Sequence, residues 1–321
     1  MLRKKIKQFF MAVKSPQQAT RIALSELKMR LHLPTLRSLE LQVTHFCNMN
    51  CPFCYAKDIM TTKKKEQIPL ENIQQIIKGC YALGMIHVNI TGGEPLIRKD
   101  IVELVDCIPK DVVVSLVTNS VLLTRQKTDE LINAGLSTIQ MSFGSNYPGF
   151  NLDLAKYCVK KRLAVTLSIV NTKEERKNNI KAIQIAKENG FSVLFNYPMR
   201  YKNSGLDSEF YWENRAAPLV REDNFFWSGK NTCPAGVHKI YITNDGDIMP
   251  CDRIHQIYGN VYQDSIKTVW KKMLVDFKNR QSFCLLETDK EQWLINNKKS
   301  RKNHPFKNMG ASKNAFNVLD E

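Results

Sequence analysis

Three cysteines stand close together in the segment CNMNCPFC, which covers residues 47 to 54 and follows a stretch that predicts a β-strand. Cys47, Cys51 and Cys54 are separated by four and three positions. A random distribution of the nine cysteines would produce this spacing with a probability of roughly 0.01. A structural zinc ion takes four ligands, whereas three thiolates on a cubane iron–sulfur cluster leave one iron without a protein ligand. The spacing therefore predicts a cluster with one iron that is open to a further molecule.

A second motif, TGGEP at residues 91 to 95, follows the next predicted strand. Gly92 and Gly93 permit positive φ angles and a close approach of the backbone, so that main-chain carbonyls can meet an ammonium group. Glu94 adds a negative charge at the same turn. Taken alone, the motif predicts only a tight turn. In company with the cysteine segment it predicts a binding site.

Together the two motifs resemble the radical S-adenosylmethionine (radical SAM) superfamily, whose signature is CxxxCxxC with an aromatic residue, here Phe53, before the third cysteine. The resemblance implies that the three cysteines are catalytic and hold a 4Fe-4S cluster whose open iron chelates S-adenosylmethionine. One electron from the cluster then yields methionine and a 5′-deoxyadenosyl radical, which abstracts a hydrogen atom from a substrate that the sequence does not identify. The cofactor-binding residues implied at the two motifs are Phe53, Gly92, Gly93, Glu94 and Pro95.

Polar residues near the ends of the next three predicted strands give weaker signals. Thr118 and Asn119 occupy the place where the family often has a threonine–asparagine pair near the cofactor. Ser142 ends the fourth strand and Ser168 lies in the fifth, where their hydroxyls are implied to contact the ribose or carboxylate of S-adenosylmethionine. The alternative for each residue is that it satisfies backbone groups at a strand end.

A later group of cysteines, Cys233, Cys251 and Cys284, surrounds a predicted hairpin at Asn244 to Gly246. The pattern resembles the first part of the SPASM and Twitch extensions of radical SAM enzymes, and implies a second, auxiliary 4Fe-4S cluster. A full SPASM set has seven cysteines, so a single auxiliary cluster is the most that this sequence supports. Ordinary buried thiols are the alternative. The fourth ligand stays open between none, water, substrate and a side chain such as Asp252, His238 or Asp289.

Alternating strand-like and helix-like segments run from residue 38 to about 197 and predict an α/β fold with a partial (β/α)6 parallel barrel. In such folds the chemistry lies on the loops after the strands. The resemblance implies that a small α+β domain of the Twitch or SPASM type follows the barrel. The predicted strands are 38–44, 86–91, 112–118, 138–143, 164–170 and 192–197. The predicted helices are 70–83, 101–107, 124–134, 152–161, 173–189 and 265–277.

Changes in composition divide the chain into five predicted parts. They are a basic helical extension at 1–37, the barrel at 38–200, a linker at 201–232, the auxiliary-cluster domain at 233–290 and a basic tail at 291–321. Leu2, Ile6, Phe9 and Val13 fall on one helical face of the extension, which would either lie on an anionic lipid surface or dock on the protein. The remaining cysteines, Cys80, Cys107 and Cys158, fall at core-like helical positions and are expected to pack there.

The net charge of +16, the odd number of cysteines and the lack of a secretory signal or a bilayer-length apolar run predict a cytoplasmic protein, with contact to a membrane surface as an alternative. The resemblance implies an electron donor such as flavodoxin or ferredoxin. For the substrate we favour a peptide, and a membrane-associated lipid, a sugar or a cofactor precursor stays open. A rival interpretation is a non-enzymatic iron–sulfur or zinc protein that binds nucleic acid through its basic surface, although nucleic acid is the less favoured partner.

Overall fold

The computed structural model describes residues 13–52, 54, 67–196, 207–214, 220–221, 234–252 and 254–277. In this part of the chain the strands form one sheet in the order β10-β9-β8-β1-β2-β3-β4-β5-β6-β7. Pairing is parallel from β8 through β1 to β7, and antiparallel between β8, β9 and β10. The strands are β1 Ser38–Gln42, β2 His87–Thr91, β3 Val113–Thr118, β4 Thr138–Phe143, β5 Ala164–Val170, β6 Ser192–Asn196, β7 Val220–Arg221, β8 Lys239–Ile242, β9 Asp247–Met249 and β10 Gly259–Asn260.

Helices alternate with the parallel strands, as the sequence predicts. Several begin at a side-chain cap: Thr124 accepts a hydrogen bond from Lys127 N at 3.1 Å, and Asn151 accepts one from Leu154 N at 2.9 Å. Gly135 follows one helix with a φ of +117°, a conformation that glycine adopts without strain. The helices are α1 Pro16–Arg30, α2 Leu70–Ala82, α3 Ile101–Asp106, α4 Arg125–Ala134, α5 Leu152–Lys160, α6 Arg176–Asn189, α7 Ser208–Asn214 and α8 Ile266–Phe277.

The strands direct apolar and polar side chains to opposite faces. In β1, Leu39 and Leu41 belong to the apolar core with the helices, whereas Ser38, Glu40 and Gln42 alternate with them. The same alternation continues in β2, so the inner face of the curved sheet is polar although it is largely buried. The predicted α/β class is confirmed, and the carboxyl ends of the parallel strands form one edge.

The sheet extends beyond the six predicted parallel strands. β8 pairs in parallel with β1, with Ser38 opposite Lys239, so the predicted C-terminal hairpin continues the barrel sheet. Within the range predicted as a linker, 201–232, the described residues include α7 and the two-residue strand β7, which pairs with β6. The sequence predicts neither the pairing of β7 with β6 nor that of β8 with β1. β7 is too short to show a periodic pattern, and β8 is far from β1 along the chain.

The described part of the N-terminal extension lies across the opposite edge of the sheet. Ile22 of α1 packs with Ile86 and Val113, and Val13 packs on the same cluster. Arg21 donates to Met85 O at 2.7 Å. Leu2, Ile6 and Phe9, the rest of the amphipathic face, lie outside the described residues. Among the helices that the structure describes, none has the length and apolar character needed to cross a membrane.

Candidate active site

The three cysteines of the first motif lie on the loop that leaves β1 at the carboxyl edge of the sheet. Cys47 is exposed, Cys51 and Cys54 are half-buried, and none of them forms a disulfide. Cys54 N donates to Cys51 O at 3.3 Å, which turns the loop between them. Within the described residues no three His, Cys, Asp or Glu side chains converge as ligands of a single metal ion. Phe53 lies outside the described residues.

The glycines of the second motif pack directly on the backbone that leads to Cys47. Gly93 N donates to Thr44 O at 2.8 Å, and Glu94 N donates to Phe46 O at 2.8 Å. A Cβ atom on Gly92 would lie 2.7 Å from Thr44 O, and one on Gly93 would overlap Phe46 O. These positions therefore require glycine because the GGEP turn clamps the start of the cysteine loop. Pro95, which is buried, begins the short 3₁₀ turn that follows.

The carboxylate of Glu94 is 1% exposed and binds protein groups. It accepts hydrogen bonds from Leu96 N at 3.1 Å, Thr118 Oγ1 at 2.8 Å and Asn119 N at 2.7 Å. Burial raises the pKa of Glu94, and these three bonds oppose that increase. Glu94 therefore fixes the GGEP turn to the end of β3. Its contact with a ligand ammonium stays a prediction.

The side chain of Asn119 connects β3 to the cysteine loop, since its Nδ2 donates to Asn48 Oδ1 at 2.7 Å. Asn48 is the residue after Cys47. Although Cys47 as a whole is exposed, burial of its sulfur raises the pKa of the thiol, and the charges of Glu94 and Cys54 act in the same direction. Thr118 and Asn119 thus lie at the site, in positions where they organise the loop.

Ser142 of β4 and Ser168 of β5 are directly opposite each other in the sheet. Ser168 Oγ accepts a hydrogen bond from Asn196 Nδ2 at 2.6 Å. Tyr147, on the loop after β4, hydrogen-bonds through its phenol with Cys51 and with Ser142. Burial, followed by the charges of Cys51 and Cys54, raises the pKa of Tyr147. Sequence analysis missed Tyr147, because nothing in its local turn indicates that it reaches the cysteines.

Arg98 is a second residue that sequence analysis missed. Its guanidinium is 3% exposed and donates to Val43 O and Ile68 O, both at 2.8 Å. Asp100 binds the same guanidinium at 2.9 and 2.6 Å, which balances its charge. Since Val43 precedes the cysteines and Ile68 follows the segment 55–66, Arg98 holds both ends of the loop region together.

The inner face of the sheet carries a chain of charged and amide groups below this edge. Lys239 Nζ lies 2.7 Å from Glu40 Oε2 and 3.3 Å from Asp252 Oδ1. Asn89 Nδ2 lies 3.5 Å from Glu40 Oε1, and Gln140 Nε2 donates to Asn89 Oδ1 at 3.3 Å. Glu40, Asn89 and Lys239 are buried, whereas Gln140 is half-buried. The chain of bonds thus runs from the C-terminal segment towards the accessible part of the barrel interior.

Of the predicted auxiliary cysteines, Cys251 is described and is 7% exposed, next to β9. Cys233 and Cys284 lie outside the described residues. Two of the candidate fourth ligands have other partners, since Asp252 pairs with Lys239 and His238 Nδ1 lies 3.0 Å from Thr35 O. Asp289 is also outside the described residues. The auxiliary ligand set stays a prediction.

Comparison with known proteins decides the family. The model of the radical SAM superfamily matches residues 41–204, which is half of the chain. The chain belongs to the radical SAM superfamily. A model described as an iron-sulfur cluster-binding domain, SPASM, matches residues 233–292. The match favours the enzymatic interpretation of the sequence over the non-enzymatic one.

Curated relatives of this radical SAM protein match over limited segments. It is 34% identical to the PqqA peptide cyclase of Bradyrhizobium diazoefficiens over 104 residues, which cover 32% of this chain and 27% of the relative. It is 33% identical to the GTP 3′,8-cyclase of Campylobacter lari over 162 residues, 49% of this chain and 45% of that protein. The chain therefore spans less than half the length of these relatives.

Among solved structures, SuiB of Streptococcus suis matches with a TM-score of 0.59 at 19% identity, covering 79% of this chain and 69% of that one. SuiB bound to S-adenosylmethionine matches with the same TM-score at 17% identity, over 76% of this chain and 68% of that one. These likenesses establish the fold.

Membership of the superfamily implies a 4Fe-4S cluster and S-adenosylmethionine, and the SPASM match implies an auxiliary cluster. The residues present fit the first group. Three thiols lie on one accessible loop without disulfides, and a cubane cluster needs three separate iron ligands rather than convergence on one ion. Buried polar atoms without a hydrogen-bond partner in the described residues include Gln42 Nε2 and Ser120 Oγ, at the carboxyl ends of β1 and β3.

Proposed function

We propose that this chain cleaves S-adenosylmethionine reductively and uses the resulting radical to abstract a hydrogen atom from a substrate. The observation that carries the proposal is the clamped cysteine loop, where the GGEP turn holds the backbone at Thr44 and Phe46. Cys47, Cys51 and Cys54 would hold the 4Fe-4S cluster. When bound, the cluster supplies one electron for cleavage of the cofactor and leaves one iron open to its amino and carboxylate groups.

The protein's own side chains contribute by holding the cysteine loop in a fixed position. Glu94 fixes the GGEP turn to the end of β3, and Asn119 fixes β3 to Asn48, so the cysteine loop is restrained from two directions. Ser142 and Ser168 offer adjacent hydroxyls at the same edge of the sheet. Tyr147 lies beside Cys51 and links it to Ser142 of β4. Such restraint matters because small misplacements of reacting groups lower rates strongly.

A matched pair of triple variants tests this function. After anaerobic reconstitution, a chain with Cys47, Cys51 and Cys54 replaced by alanine should lose about four irons and all formation of 5′-deoxyadenosine. The control replaces Cys80, Cys107 and Cys158 by alanine and should keep both. If the first variant still forms 5′-deoxyadenosine, or if the wild type forms none after reduction, the proposal is wrong.

We infer that the substrate is a peptide. A relative that is 34% identical over 104 residues is named as a peptide cyclase. The half-buried residues of the barrel interior include the amides Gln140 and Asn196 and the hydroxyl of Ser142. Neutral donor–acceptor groups of this kind match peptide groups better than they match the triphosphate of a nucleotide, which attracts cations.

We expect a substrate that consumes the radical to raise 5′-deoxyadenosine formation, which can be compared with mixed-sequence decapeptides, with GTP and with phospholipid vesicles as probes. We expect stimulation by peptides and a change in peptide mass that requires S-adenosylmethionine. Gln140→Ala should reduce the stimulation and leave basal formation unchanged. Stimulation by GTP alone would assign a nucleotide substrate, and stimulation by vesicles alone would assign a lipid.

A further inference from the structure

The turn between β8 and β9 touches the side chains of residues just ahead of the cysteine loop. Asp245 Oδ1 lies 3.2 Å from His45 Nε2, a packing contact rather than an aligned hydrogen bond, and these side chains are 13% and 10% exposed. His45 precedes Cys47 by two positions. The contact therefore joins the C-terminal hairpin to the segment that carries the first cysteine.

The neighbouring Asn244 binds both arms of the cysteine loop region. Its backbone N donates to Gln42 Oε1 at 3.1 Å, and its side-chain Oδ1 accepts from Ile68 N at 3.0 Å. Gln42 is the last residue of β1, and Ile68 follows the segment 55–66. Since Asn244 is 3% exposed, water competes little for these bonds.

The turn itself is held rigidly in the hairpin. Gly246 has a φ of +86°, and its carbonyl accepts from Val261 N at 2.8 Å. Asn260 Nδ2 donates to Asp245 O at 3.1 Å. The turn cannot shift without moving β10, so it provides a fixed support for the residues that it touches.

We propose that Asn244 and Asp245 are positioning residues for the catalytic cluster. They hold the cysteine loop from the side of the C-terminal hairpin, while the GGEP turn holds it from the side of β2. β9 runs from this turn towards Cys251, so the C-terminal unit completes the catalytic site as well as offering a ligand of its own. This inference rests on the proposed function, because it requires a cluster on Cys47, Cys51 and Cys54.

The test is the dissociation constant of S-adenosylmethionine, measured from the change that it causes in the electron paramagnetic resonance spectrum of the reduced, reconstituted full chain. Asp245→Ala should raise the constant about tenfold, as losses of groups that orient metal ligands do. Asp245→Asn keeps the size of the side chain and its packing against His45, and should restore the constant to within about threefold of the wild type. The matched control is Asp247→Asn, whose carboxylate contacts Asn260 in the same hairpin at 2.8 Å.

A second variant removes the contact from the other side without changing the hairpin. His45→Leu should raise the constant by the same factor, and the double variant with Asp245→Ala should raise it no further, because both changes break one interaction. Identical spectra and constants for Asp245→Ala and Asp247→Asn would overturn the inference alone. A wild type that shows no response to S-adenosylmethionine would overturn the proposed function as well.

Discussion

Two groups of three cysteines in this chain differ in their surroundings. Cys47, Cys51 and Cys54 lie on an accessible loop at the carboxyl edge of the sheet. Cys80, Cys107 and Cys158 lie on or just after helices behind the sheet, and Cys80 and Cys158 are 0% exposed. Burial raises the pKa of Cys80 to about 12 and that of Cys158 to about 11.

The difference shows that the fold, and not the residue type, decides what a thiol can do. An iron ligand needs an accessible sulfur, and the fully buried sulfurs of Cys80 and Cys158 offer none, whereas Cys47 is exposed. The helix cysteines therefore serve as small apolar side chains, as the sequence predicts for them. The loop cysteines have neighbours that restrain the backbone and leave the sulfurs within reach of a cluster.

The largest expected effect comes from exchanging one sulfur for oxygen in each group. Cys54→Ser should reduce 5′-deoxyadenosine formation at least about a thousandfold, since a hydroxyl is a poor ligand for iron. Cys107→Ser should stay within about twofold of the wild type, because the thiol is remote from the loop and only donates to Leu104 O at 3.1 Å, a bond that a hydroxyl can also make. The measurement is 5′-deoxyadenosine formed per iron in the two reconstituted variants. If Cys54→Ser and Cys107→Ser lose this activity equally, the loop and helix cysteines do not differ in function.

In the metal-free chain, alkylation of the loop cysteines should be about a hundredfold faster than alkylation of the buried helix cysteines. Iodoacetamide reacts with accessible thiolates, so Cys47 and Cys51 should be modified directly. Cys80 and Cys158 should be modified only when the surrounding structure opens locally. Peptide mass spectrometry at timed intervals gives each rate, and a sample in urea provides the fully reactive reference. Rapid labelling of Cys80 under native conditions would contradict its burial.

Polar substitution should destabilise the helix group selectively. Cys80→Ser places a hydroxyl in the apolar core and should lower the free energy of unfolding by about 1 to 3 kcal/mol. Cys47→Ser, at an exposed position of the metal-free chain, should change it by less than about 0.5 kcal/mol. Urea denaturation followed by circular dichroism measures both values, and a similar loss for each would show that the loop is as tightly packed as the core.

The smallest effect is a pH dependence of stability. The thiol of Cys80 stays protonated in the folded chain up to a pKa of about 12, whereas the unfolded thiol ionises above its ordinary pKa of about 8.5. The unfolded state thus binds fewer protons in this interval, so Cys80 lowers stability as the pH rises from about 8.5 towards 12. Between pH 8.5 and 10 the loss should be about 1 to 2 kcal/mol. Cys80→Ala should make the free energy of unfolding fall less steeply with pH above about 8.5. If the fall is unchanged in this variant, other titrating groups cause it.

The periodic parts of the fold were predictable from the sequence. β4 and β5 have the predicted bounds, and the predicted helix at 173–189 begins three residues later, at Arg176, after a short turn. Local spacing also identified the cysteine loop and the GGEP turn. The contacts of Arg98, Tyr147 and Asp245 were not predictable, because each joins segments that meet only in the folded chain.

The sequence correctly predicts that another group approaches Gly92 and Gly93 closely, but it does not identify that group. The sequence predicts that Gly92 and Gly93 allow close approach of a ligand. In the structure their missing side chains admit the backbone of Thr44 and Phe46. A close approach leaves the same sequence signal whichever group approaches, so sequence alone could not identify the partner.

The parallel pairing of β1 with both β2 and β8 has a consequence for the order of folding. One edge of β1 finds its partner soon after synthesis, but the other stays open until β8 has emerged, roughly 200 residues later. An open edge of a buried strand is prone to wrong pairing while a nascent chain waits. The loop after β1 therefore reaches its final shape only once β8 has paired with β1, and cluster insertion belongs after that step.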